Sequence, residues 1–316
     1  MKNKNTFLQI GMPKTATTTL QKEIFPELCR YTKYNYWQDD ITLFDEILLN
    51  KYKLLRSLPL NPIVIPANSL ISLESLIGAD PKYWEKNSIG IKNIFGNHAH
   101  ILIVLRDPKS YLNSIYAEEC IHSGVLQRPE HYFLRKSEYS ERHTGPKFSI
   151  DDFNYNNLIG YYKKNFKYIT IVKFNKLPEL EFISDFFDIT TIQHHHLKSL
   201  FNKKIHNRRI SNVMVEGLFF INKVLNQMGL SLGIQGNNRS VDLLRKNKIP
   251  RKKPNIGKLI LLKFLRKLNL LPALRAIENL FKMKKFELDF SKLKYINLNE
   301  LEEMYEKIPD YITYTR

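Results

Sequence analysis

The run Ile101-Leu102-Ile103-Val104-Leu105 constrains the fold more than any other segment, because an unbroken apolar stretch of this length leaves no face for water. A strand that is apolar on both sides belongs inside a parallel sheet, with helices covering either face. It stops at Arg106-Asp107-Pro108. Asp107 suits a helix N-cap and Pro108 the first helical position, so the sequence predicts a helix over Ser110 to His122. Arg106 then stands at the carboxyl end of a central strand, with Ser114 on the helix that follows. In open α/β sheets ligands bind at that end of the strands. A guanidinium grips phosphate through two parallel hydrogen bonds, and a serine hydroxyl adds an uncharged contact.

The start of the chain repeats this arrangement. Thr6-Phe7-Leu8-Gln9-Ile10 passes directly into Gly11-Met12-Pro13-Lys14-Thr15-Ala16-Thr17-Thr18-Thr19-Leu20, which reads as a strand, a tight turn and a helix over Thr17 to Phe25. The free amides of a first helical turn and the positive end of the helix dipole attract an anion. Lys14 adds a full charge, and Thr17, Thr18 and Thr19 supply neutral donors. A Walker A loop places its lysine directly after a second glycine. Here Lys14 comes three residues after Gly11, and Ala16 stands where that glycine would be, followed by threonine.

Pro13 to Thr18 matches at every position the 5′-phosphosulfate loop of the sulfotransferases, which reads roughly P-K-[ST]-[GA]-[ST]-[ST]. The apolar strand that ends in Arg106-x-Pro108, with Ser114 eight residues after the arginine, resembles the 3′-phosphate motif of the same family. The resemblance covers residues 5 to 24 and 100 to 120, and it is nearer to the bacterial and glycan-directed branches than to the small-molecule branch. It implies an α/β fold of P-loop-like type, a three-layer sandwich around a central, mainly parallel sheet. It also implies the donor 3′-phosphoadenosine 5′-phosphosulfate (PAPS), released as the bisphosphate PAP, no metal, and transfer of a sulfuryl group to a hydroxyl or amine. In that scheme Lys14 stabilises the leaving group. Pro13, Thr15, Ala16, Thr17, Thr18 and Thr19 surround the 5′-phosphate, while Arg106 and Ser114 hold the 3′-phosphate.

Such a reaction also needs a base for the acceptor proton. Asn68 to Leu76 reads as a short strand with Glu74 at its exit, and the resemblance makes Glu74 the first choice; His98, His100 and His122 are the substitutes. The R-K-G-x-x-G-D motif of the small-molecule branch is missing. In its place stands Lys203-Lys204-Ile205-His206-Asn207-Arg208-Arg209-Ile210-Ser211, followed by an apolar periodic stretch from Val213 to Leu225. Either Arg208 or Arg209 reaches the 3′-phosphate, or the segment is a solvated basic loop. His194-His195-His196 does not read as a metal site, because adjacent residues cannot share one helical face.

With 316 residues, 43% hydrophobic and 12% aromatic, the chain is long and apolar enough to bury a substantial core. An α/β domain is expected over residues 1–240 and a basic, mainly helical extension over 241–316. From Val241 to Phe290 there are 14 Lys or Arg against 4 Asp or Glu, so this stretch holds 10 of the 18 net positive charges. Within it, 257–285 reads as a basic amphipathic helix, either packed on the core with its lysines in water or lying on an anionic membrane surface. Further expectations are a strand over Tyr168 to Phe174, helices over Leu177 to Phe187 and Asp39 to Leu55, and a polar loop over the site from Gln127 to Lys147. Two cysteines form no framework, which suits a reducing compartment. A strand beginning so near Met1 leaves no room for a signal peptide, so a cytoplasmic protein is expected, peripheral to the inner membrane face if 257–285 binds lipid.

The function expected on this basis is sulfation of a carbohydrate or lipid-linked carbohydrate. Two rival classes are an ATP- and magnesium-dependent kinase, with Asp107 as its metal carboxylate, and a non-catalytic basic protein that binds membrane or nucleic acid. No helix-turn-helix, zinc finger or aromatic RNA-binding signature supports a nucleic-acid partner.

Overall fold

A computed structural model describes residues 6–12, 14–37, 63–73, 76–122, 128–139, 147–203 and 286–316, with short pieces between 45 and 61 and residue 215. The fold is α/β, built on a six-stranded sheet. Its strands are β1 (Thr6–Gln9), β2 (Asn35–Tyr36), β3 (Ser69–Ser72), β4 (His100–Leu105), β5 (Tyr168–Lys173) and β6 (Tyr311–Thr315). They lie in the order β2-β3-β1-β4-β5-β6. All neighbours are parallel except β6, which runs antiparallel to β5 along one edge.

β4 is buried on both faces, as its composition demands. Leu102 and Val104 join Phe7, Leu70 and Val172 in one core cluster, while Ile101, Ile103 and Leu105 on the opposite side are equally without exposure. Against the first face pack Leu20, Ile24, Phe25 and Leu28 of the first helix, together with Phe182, Ile183 and Leu197. Phe7 lies at the centre of an aromatic group, 4.8 Å from Phe186 and 5.0 Å from Phe187 between ring centroids. Helices Trp84–Phe95 and Tyr155–Asn165 pair with each other, tied by Asn165 Nδ2 donating to Ser88 Oγ at 2.9 Å. This layering is compatible with a helix–sheet–helix sandwich.

The winding of the chain places the site. From β1 the chain moves out to β2 and β3 on one side, then crosses to β4 and continues to β5 on the other. The direction reverses between β1 and β4, and the crevice outside the carboxyl ends of two such strands is the usual ligand site of an open parallel sheet.

The chain divides into two compact units, one of 1–111, 149–207 and 297–316, the other of 112–148 and 208–296. The first contains the sheet. In the second, Tyr116 packs against Tyr132 at 5.5 Å and Phe286 at 5.7 Å, and Tyr295 donates its hydroxyl to the Phe133 carbonyl at 2.6 Å. This corrects the reading of 127–147 as a polar loop. Helix Pro129–Tyr132 leads into a short strand, Phe133–Leu134, and Tyr132, Phe133 and Leu134 are all buried. The segment expected as one helix over Leu177 to Phe187 is instead a 3-10 turn, Leu177–Glu179, and a helix, Glu181–Phe186, separated by Leu180 at φ +54°. The expected boundary at 240/241, the 257–285 amphipathic stretch and most of 39–55 lie outside the described residues. Among the described residues no helix is long and apolar enough to cross a membrane.

Candidate functional site

The turn after β1 departs from ordinary backbone at two places. Lys14 and Ala16 have φ of +66° and +55°, the left-handed region that side-chain-bearing residues avoid. Thr15 clamps the turn by donating its hydroxyl to the Met12 carbonyl at 2.6 Å. The first helix, α1, then runs over residues 17–31 as Thr17–Thr19, a π-type turn Leu20–Ile24, and Phe25–Tyr31. Ala16 opens it through its carbonyl, which accepts from Thr19 N at 3.0 Å, and provides no side-chain cap. A helix start without a side-chain cap leaves its amides for another acceptor.

Gly11 is required by what crowds it. A Cβ there would stand 2.1 Å from Gln9 Nε2 and 2.6 Å from Thr17 Cγ2, both far inside contact distance. Thr17 is buried, and its Oγ1 has no hydrogen-bond partner among the described residues. Burying an unpaired hydroxyl costs about 1–3 kcal/mol, so such an atom calls for a partner. Thr18 beside it is half-buried.

Arg106 reaches this turn from the tip of β4. Its Nη1 donates to the Lys14 carbonyl at 3.0 Å, and its guanidinium carbon lies 5.2 Å from the centroid of Phe174, the residue after β5. The Arg106 carbonyl in turn accepts from the buried Tyr155 hydroxyl at 2.7 Å. A guanidinium is planar and carries five donors in a fixed fork. Two cationic residues, separated by 92 positions in sequence, therefore meet at the β1/β4 crevice. Asp107 accepts from Ser110 N at 2.8 Å and so caps helix Pro108–His122. Ser114 is half-buried on that helix and belongs to the second unit.

The histidine substitutes for the base fare differently. His98 and His100 lie at the amino end of β4, at least roughly 20 Å from Arg106 at ~3.3 Å rise per residue. His100 is buried and shares a hydrogen bond of 2.7 Å with Thr170 Oγ1. Burial holds its pKa down at about 4, which keeps the ring neutral. Neither residue can serve a reaction at the Lys14 turn. Pro13, Glu74, Arg208, Arg209 and the side chain of His122 lie outside the described residues. Of the histidine triplet, His194 Nε2 lies 3.2 Å from the Leu180 carbonyl and His196 Nε2 3.7 Å from Glu27 Oε1. Among the described residues no group of three or more His, Cys, Asp or Glu is placed to hold a metal ion.

Residues that motif reading missed surround the turn. Ser72 at the tip of β3 is paired in register with Gln9 and donates its hydroxyl to Gln9 Oε1. Gln21, one turn into α1, donates to Ser72 Oγ at 3.0 Å and to the Ser72 carbonyl at 3.2 Å. The available signal was a glutamine inside an otherwise apolar strand run, since a polar side chain buried in a central strand needs partners.

The chain matches no known protein family, no characterised protein and no solved structure.

Proposed function

We propose that this chain is a sulfotransferase that moves a sulfuryl group from PAPS to a hydroxyl or amine of a carbohydrate or lipid-linked carbohydrate. The observation that carries the reading is the 3.0 Å bond from Arg106 to the Lys14 carbonyl, which sets two cationic residues side by side at a topological switch point. The residues present fit such a donor. Thr17 Oγ1 is buried without a partner among the described residues, the space beside Gly11 is filled by Gln9 and Thr17, and Lys14 and Arg106 supply positive charge.

When bound, the donor supplies the sulfuryl group and leaves as PAP. Lys14 offsets the negative charge that grows on the departing phosphate oxygen, a task for a fixed cation in a site screened from water. Thr17, Thr18 and the first amides of α1 hold the 5′-phosphate, and Arg106 takes the 3′-phosphate. Glu74, which follows β3, is the proposed base for the acceptor proton. The kinase reading is weaker because its metal carboxylate, Asp107, is engaged as a helix cap. Residues 257–285 are proposed to hold the protein at an anionic membrane surface, with the enzyme in the cytoplasm.

The test is melting of the protein with adenosine 3′,5′-bisphosphate in EDTA and, separately, with ATP and magnesium. A ligand at a hundred times its Kd stabilises by about 2.7 kcal/mol. The bisphosphate alone is expected to raise the melting temperature. A larger rise with ATP and magnesium, or none with either, overturns the assignment. Transfer of labelled sulfate from PAPS into cell-envelope glycans then identifies the acceptor.

A further inference from the structure

Gln9 is without solvent exposure, and its Nε2 has no hydrogen-bond partner among the described residues. The orientation of its amide follows from a chain of bonds anchored on main chain. Gln21 donates to the Ser72 carbonyl, which can only accept, so the atom Gln21 presents is Nε2. The same nitrogen donates to Ser72 Oγ, and the Ser72 hydroxyl donates onward to Gln9. The atom of Gln9 facing Ser72 is therefore the acceptor Oε1. Its Nε2 turns away with both N–H groups, and it crowds the same spot at Gly11 as the side chain of Thr17.

Two unpaired polar atoms, Gln9 Nε2 and Thr17 Oγ1, thus sit together beneath the Lys14–Thr19 turn. Neither is open to bulk water, and no described residue completes either of them. We propose that Gln9 is an anion-binding residue of this site, its amide nitrogen donating to an oxyanion oxygen seated at the base of the turn, with Ser72 and Gln21 fixing the amide in the donating orientation. This rests on the reading of the turn as an anion site and adds a donor that the loop motif does not contain. A neutral, rigidly held amide contributes hydrogen bonds without adding charge, so it favours a tetrahedral oxyanion over other negative groups through geometry.

The test is calorimetric titration of the intact protein with adenosine 3′,5′-bisphosphate. Gln9→Met keeps the length of the side chain and removes both donors; affinity is expected to fall about tenfold, as for the loss of one hydrogen bond to a charged group. Gln9→Glu keeps the oxygen that accepts from Ser72 and puts an acceptor in place of the donor; a loss of at least about a hundredfold is expected. Unliganded melting curves show whether each variant folds, and Gln9→Glu serves if Gln9→Met does not. Lys14→Ala is titrated alongside. If Lys14→Ala loses the ligand while Gln9→Met binds as tightly as wild type, the amide faces an internal water and this proposal is wrong, though the anion turn stands. If the wild-type protein does not bind the bisphosphate, both fail.

Discussion

At the amino ends of the strands, buried polar groups are closed on one another: His100 Nε2 meets Thr170 Oγ1 at 2.7 Å, which in turn meets Thr313 Oγ1 at 3.0 Å on the antiparallel edge strand. At the carboxyl ends, the corresponding polar residues stop short. Gln9 Nε2 and Thr17 Oγ1 lack partners among the described residues, and two residues of the adjoining turn adopt left-handed backbone. Gln9 and Thr17 are buried as His100 and Thr170 are. Closed networks stabilise a fold, whereas orphaned donors in a buried site cost stability unless something else completes them. The contrast separates the end of the sheet whose buried polar groups are closed on one another from the end proposed to take a ligand.

That contrast breaks most directly at Lys14. Lys14→Ala is expected to lower sulfuryl transfer by at least about a hundredfold, as for removal of one charge-stabilising group, while the unliganded melting temperature stays unchanged. Wild-type turnover in a PAPS assay removes the assigned role. Arg106→Ala should weaken bisphosphate binding by about 2–4 kcal/mol, measured by titration calorimetry, because it strips a half-buried cationic partner. A change in stability with unaltered affinity would instead make Arg106 a brace for the turn.

The amino end should respond to pH. Burial lowers His100 from 6.5 to about 4, so between those values the unfolded chain takes up a proton that the folded one refuses. Stability is therefore full above pH 6.5, falls as the pH drops, and has lost up to about 3 kcal/mol near pH 4. Urea unfolding across this window measures it, and His100→Gln should flatten the His100 contribution. A wild-type slope that survives this substitution assigns the loss to other groups.

The smallest effect sharpens the comparison. Thr17→Val removes a hydroxyl that no described residue uses, so the unliganded protein should be as stable as wild type or about 1 kcal/mol more so, while ligand affinity falls. Loss of unliganded stability would show that Thr17 is satisfied within the fold and that the carboxyl end is less open than argued.

The parts of this arrangement readable in sequence were those encoded locally. The unbroken apolar run of β4 announced burial on both faces, and Asp107-Pro108 announced the helix that follows. The turn from Gly11 to Thr19 showed its lysine and hydroxyls. Contacts set by strand order were not readable: nothing near Arg106 in sequence says that its guanidinium meets the Lys14 carbonyl, because that depends on β4 lying beside β1. The edge strand Tyr311–Thr315 escaped for the same reason. It pairs with β5, more than 140 residues earlier, and its half-exposed residues carry no apolar run. Polar composition around 127–147 concealed Tyr132 and Phe133, whose burial comes from distant aromatic partners such as Tyr116 and Phe148. Gln9 stands in the sequence as a polar residue in a core strand, but its bonding direction depends on Ser72 and Gln21.

The left-handed residues of the turn carry a kinetic and entropic consequence. Glycines are the usual occupants of such backbone, and they bring floppiness with them; here lysine and alanine hold those positions, and the single glycine, Gly11, stands at the entrance. A cradle made this way has few alternative shapes to forfeit when cargo arrives. Under the proposed function, association would waste little of its driving force on ordering the chain, and an emptied cradle would stay ready for the next turnover.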